Sequence, residues 1–154
     1  MNRRTNDKLE PQNELNNPIP ILSLWGRLVV SLQGDIRDNQ IEDLERRLLD
    51  HIKREGAEGL AIDASGVWLM DSHLCATLGR LTAAARVMGV QPVICGLTPA
   101  IAMTLETMGF DLEGVDTALG LESALERLGL SVWDANDERS NPDDSEQDEE
   151  VEPA

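Results

Sequence analysis

The sequence predicts an α/β fold, a layered structure with a mostly parallel sheet, an N-terminal hairpin and about four helices. Three observations lead there. Short apolar runs such as GLAIDAS (59–65) and QPVICG (91–96) read as strands buried on both faces. Longer segments carry apolar residues every three or four positions, the pattern of amphipathic helices. The two kinds alternate along the chain, as they do where strand–helix–strand units build a parallel sheet.

Residues 1–17 are polar and read as a disordered arm. PIPILSLWGRLVVSLQG then predicts two short strands, at about 19–24 and 27–32, joined by a Trp25-Gly26 turn. Asp35 to Arg54 places Ile41, Leu44, Leu48 and Ile52 at helical spacing. Its acid-first pairs Glu42–Arg46, Asp43–Arg47 and Asp50–Arg54 support an exposed helix face, and Gly56 stops the helix. The strand at 59–65 follows, and a second helix is expected from about Ser72 to Met88, ended by Gly89. After the strand at 91–96, Thr98-Pro99 makes an N-cap and first-turn pair for a helix bearing Ile101, Leu105 and Met108. A short strand near Val115 and a last helix, LESALERLG, complete the domain, expected to span 18–132.

The chain has 154 residues and a formal charge of −16. Much of the imbalance sits in the last stretch, 133–154, where ten acids face Arg139 alone. Such a segment buries too little apolar surface to offset its ordering entropy, and it is expected to be a disordered acidic tail. The charge disfavours nucleic-acid binding, since phosphates would be repelled. No apolar run reaches membrane-span length, and the N-terminus has no secretory h-region, so neither membrane insertion nor export is expected and the cytoplasm is the expected location. Cys75 and Cys95 lie in apolar surroundings and read as reduced, packed thiols; metal-ligand spacing is absent and no cofactor is expected.

MDSHLC (70–75) stands where a strand ends and a helix begins. Ser72 reads as the N-cap, its hydroxyl accepting a backbone N–H of the first turn. A phosphate on Ser72 would also be tolerated, because a helix N-terminus favours negative charge. It would sit beside Asp71 and near Asp63, and the accumulated charge would repel an acidic partner. Ser72, Ala76, Gly79 and Ala83 form a stripe of small residues along the helix, which either a partner or the 99–108 helix could fill. Leu74, Leu78, Leu81, Ala85 and Met88 form the larger apolar stripe, expected to face the sheet. Arg80 and Arg86 read as solvated, with Arg80 close enough to the small stripe to matter.

Catalytic readings do poorly. Ser72 and His73 are neighbours on a helix, so their side chains diverge by about 100° and cannot form a nucleophile–base pair. Cys75 has Asp71 nearby and no cation to favour a thiolate. No phosphate-binding loop or dinucleotide fingerprint occurs. A phospho-receiver domain would need a late lysine, and none follows Lys53.

The stretch AIDASGVWLMDSHLCATLGRLTAAARVMGVQPVICGLTPAIAMTLETMGF resembles the STAS domain of anti-sigma factor antagonists. Asp63 and Asp71-Ser72 match that family's pattern of a strand, an Asp, a short loop, and Asp-Ser or Asp-Thr opening a helix. VICGLTPAIAMTLETMGF is closer still to the RsbS and RsbR proteins of the bacterial stressosome, through Gly96, Thr98-Pro99-Ala100, Ala102 and Thr104. The resemblance covers about residues 19–130. It implies a protein-binding module rather than an enzyme, of the RsbS type because the large sensor domain of RsbR-type proteins is not seen in this chain. It further implies that Ser72 is phosphorylated by a GHKL-type, RsbT-like switch kinase, that phosphorylation releases the kinase, and that RsbR-like STAS proteins co-assemble with it into homo- or hetero-oligomers. Asp71 would be the motif neighbour, and Thr104 lies near a second threonine modified in RsbR-type relatives. Asp63, Asp71, His73, Ala76, Gly79 and Arg80 form the expected partner-binding set; His73 departs from the small or apolar residue usual after the motif serine. The competing expectation is a STAS sensor that binds a small ligand or nucleotide without holding a kinase. Trp68 reads as a loop-packing residue, with an exposed contact as the other possibility.

Overall fold

Ile41, Leu44, Leu48 and Ile52 are all buried, so the apolar stripe of the first helix determines how it lies on the sheet. A computed structural model describes residues 17–110 and 114–131. In chain order the elements are β1 (Ile21–Leu24), β2 (Arg27–Gly34), α1 (Asp38–Glu55), β3 (Gly59–Val67), α2 (Ser72–Val87), β4 (Gln91–Cys95), α3 (Pro99–Thr107), β5 (Asp116–Ala118) and α4 (Leu121–Arg127). The sheet runs β1-β2-β3-β4-β5, with β1 antiparallel to β2 and every other pair parallel. The predicted arm and acidic tail lie outside the described residues, apart from Asn17, whose carbonyl accepts a hydrogen bond from Gln40.

Strand alternation sorts the core into two layers. Leu28, Val30, Leu60, Ile62 and Ile94 point to one face, where α1, α2 and α3 cover them. Val29, Ala61, Val93 and Cys95 point to the other, where α4 brings Ala124 and Leu128. The β1–β2 turn occupies two residues with positive φ, Trp25 at 44° and Gly26 at 76°, the geometry that matches hairpin twist. Gly56 ends α1 in the left-handed conformation, and Thr98 caps α3 by accepting the Ile101 N–H at 3.3 Å, as the sequence predicts.

Three local expectations are corrected. Arg46 pairs with Asp43 rather than Glu42, leaving Glu42 turned toward α2. Met88 is exposed, standing at the C-cap one residue past the end of α2. The third strand continues through Val67, so Asp63 sits inside it rather than at its end.

Candidate functional site

The corner before α2 is held at both ends. Val67 closes β3 and Met70 drops into the core, each about 2% exposed. Between them Trp68 and Leu69 face outward. The backbone of Asp71 is extended, with φ −89° and ψ 174°, and its carboxylate accepts the Leu74 N–H at 2.8 Å. Asp71 is therefore the N-cap, and Ser72 is the first helical residue. The expectation that Ser72 caps the helix is overturned. Both residue types cap well, and the path of the pinned loop selects the first of the two.

Freed from capping, Ser72 is exposed, and among the described residues its hydroxyl makes no hydrogen bond. It stands at the mouth of a groove of about 400 Å³ formed by α2 and the end of α3, lined by Cys75, Ala76, Gly79, Arg80, Met108 and Phe110. The small stripe is thus partly filled from within the chain. A Cβ built on Gly79 would come within 2.9 Å of the Phe110 ring, so the glycine admits that ring against the helix backbone. Cys75 donates from Sγ to Met108 Sδ at 3.6 Å, while Ala76 remains exposed.

His73 turns away from Ser72 toward α1. Its Nε2 lies 3.3 Å from Oε1 of Glu42 and 4.0 Å from Oδ1 of Asp38. That nitrogen is buried and, despite the closeness, lacks the alignment of a hydrogen bond. Arg80 reaches Glu45 at 3.4 Å and Thr77 Oγ1 at 3.1 Å, so it bridges α2 to α1. Asp63 is not part of this corner. It alternates with Ile62 and projects to the α4 face, where Oδ1 accepts the Ser65 N–H at 3.0 Å. Thr104 is half-buried and donates to the Ala100 carbonyl at 2.9 Å. Trp68 is 82% exposed, which overturns its loop-packing role. The exposure of Leu69 and the place of Phe110 were missed in the sequence, and that of Trp68 was only its second reading; the one signal was a run of three large apolar residues, Trp68-Leu69-Met70, before a polar cap.

The thiols are suited to packing, not chemistry. Burial, and then the nearby Asp63 carboxylate, push Cys95 up to about 11; burial, and then Asp71, also raise Cys75. Both are free. Among the described residues no group of His, Cys, Asp or Glu could hold a metal ion, and no helix is long and apolar enough to cross a membrane.

Comparison with known proteins agrees with this architecture. Residues 26–121 match the family model described as "Mlab, STAS domain". A serine-to-glutamate variant of RsbS from Moorella thermoacetica superposes with a TM-score of 0.68 and 32% identity, covering 73% of this chain and 96% of that one. A chain from a structure titled "Molecular architecture of the stressosome, a signal integration and transduction hub" gives 0.65 and 34%, covering 71% and 96%. Among curated sequences, the RsbT co-antagonist protein RsbRD of Bacillus subtilis (strain 168) is 27% identical over 82% of this chain and 45% of its own length. The chain spans less than half the length of the curated RsbR relatives it matches. The fold is that of stressosome and anti-sigma-factor-antagonist STAS proteins.

Proposed function

The chain belongs to the STAS-domain family, and on that premise we propose that it is an RsbS-like regulator that holds an RsbT-like GHKL serine kinase and releases it when Ser72 is phosphorylated. The observation that carries this reading is the exposed Ser72 hydroxyl, spared from capping by Asp71 and standing at the mouth of the α2–α3 groove. A kinase active site can reach an oxygen so placed.

In this reading the kinase brings ATP and Mg²⁺ and this chain brings only the acceptor, so it is not itself an enzyme. The Ser72 oxygen attacks the γ-phosphorus, its proton passes to a base of the kinase, and ADP leaves. The product carries about −1.5 to −2 charge at the N-terminus of α2. The helix tolerates that charge, because its first N–H groups point outward. A partner packed over the same oxygen would meet a dianion beside the Asp71 carboxylate. Each 1.4 kcal/mol of lost binding lowers affinity about tenfold, so modest repulsion is enough to separate the pair. RsbR-like STAS proteins are the proposed co-assembling partners, supported by the likeness to RsbS and by the RsbR relatives.

The test is a binding and phosphorylation assay with an RsbT-type kinase from the same organism. Ser72→Ala should bind like the parent and take up no phosphate, while Ser72→Asp should bind at least about tenfold more weakly. Equal binding and equal labelling of both variants and the parent would remove Ser72 from the mechanism.

A further inference from the structure

We propose that Trp68 and Leu69 are the docking anchor of the Ser72 kinase, supplying affinity while Ser72 supplies the chemistry. The inference rests on the reading of Ser72 as the phosphoacceptor, and it adds a second, separable element to that site.

Three observations carry it. Trp68 and Leu69 are 82% and 66% exposed, two large apolar side chains presented next to one another. Their exposure is held in place, because buried Val67 and Met70 flank them and the Asp71 cap follows. A rigid display loses little conformational entropy on binding, which is what an anchor requires. The pair also stands within four residues of Ser72, at most about 15 Å along the chain. A partner that covers a standard patch of about 800 Å² centred on the Ser72 oxygen spans roughly that radius. A kinase that encloses the hydroxyl therefore lies over this tip.

Charge describes the partner's face. Exposed Asp71, with Asp38 and Glu42 reached through His73, gives this end of the molecule carboxylates, while Arg80 is occupied by Glu45 and Thr77. The complementary surface is an apolar pocket for Trp68, with its cations set opposite Asp38 and Glu42 and none over the Ser72 oxygen, so a phosphate there finds no countercharge. Aromatic residues in such pockets dominate binding energy, and rim charges set encounter rate and salt dependence.

Steady-state phosphorylation by the RsbT-type kinase tests this. Trp68→Ala and Leu69→Ala should each raise KM about tenfold or more with kcat unchanged, and Trp68→Phe should recover part of the loss. Added NaCl should raise the parent's KM, while the ratio of variant to parent persists, since an apolar contact is not screened. Both side chains lie outside the core, so melting temperatures should match the parent; a matched melt with an unchanged KM in both alanine variants overturns the proposal. If the variants instead change the mass of the assembled protein and leave KM alone, the tip binds another copy of the chain and the proposal is equally overturned. A parent that takes no phosphate at Ser72 brings down the functional reading and this inference together. A parent labelled at Ser72, with variants of unchanged KM, brings down this inference alone.

Discussion

Nε2 of His73 lies 3.3 Å from Oε1 of Glu42, which joins the first turn of α2 to the first half of α1. Asp38 stands behind it at 4.0 Å. The residue after the proposed phosphoacceptor thus faces the neighbouring helix and leaves Ser72 on the open side. His73→Ala should therefore leave phosphorylation of Ser72 intact and lower stability by less than about 1 kcal/mol, the usual range for a partly exposed pair. Urea unfolding beside a phosphorylation time course checks both halves.

The Asp71 carboxylate accepts the Leu74 N–H, satisfying a donor that α2 cannot pair internally. Asp71→Ala should cost about 1 kcal/mol. Asp71→Asn, which keeps the acceptor and removes the charge, should recover most of it. Ser72→Ala should be close to neutral for stability, since Ser72 is not the cap. A denaturation series on the three variants separates these cases.

Gly96 ends β4 with φ +72°, and a Cβ there would stand 2.7 Å from Ser65 Cβ and 2.9 Å from both Asp63 Oδ1 and the Ser65 backbone nitrogen. Two penalties coincide, a left-handed backbone and a clash with backbone that cannot swing aside. Gly96→Ala should destabilise by about 2 kcal/mol or more. By contrast Gly89, also at positive φ but with open space around it, should tolerate Ala at the smaller cost of the backbone alone. Paired melts of the two variants read the difference.

Asp43 provides a pH signature. The hydrogen bond from Arg47 leads the causes that hold its carboxyl below the ordinary value of 3.8, with Arg47 and Arg46 charges adding and partial burial opposing. The charged form is favoured by folding, so its contribution is complete above 3.8 and is lost as pH falls through the lower folded value. The parent should be more stable than Asp43→Asn at neutral pH, by under about 1 kcal/mol for so solvated a pair. The gap should close as pH falls below 3.8 and through the lower folded value. Guanidinium titrations at stepped pH follow it.

How much of this was legible beforehand depended on whether the cause was local. Periodicity placed α1 and α2 within a few residues, because one buried face imposes a period of 3.6 on its own segment, and continuous apolar runs placed β3 and β4, which are buried on both faces. Thr98-Pro99 and Gly56 were readable as start and stop because capping involves only neighbours in the chain. The Asp71-Ser72 pattern was visible too, but either residue can cap, and only the loop pinned by Met70 determines which one does.

The sequence by itself determined the element types, their order and the two apolar stripes that build the core. Tertiary structure decided what stands around Ser72. It turned Glu42 from Arg46 to His73, put Asp63 on the α4 face, laid Phe110 against Gly79 and left Trp68 in solvent. The physical reason is that each of these depends on which elements lie side by side. Alternation says that Asp63 opposes Ile62, but nothing local says on which face α2 will lie; that follows from packing all the helices over the sheet together.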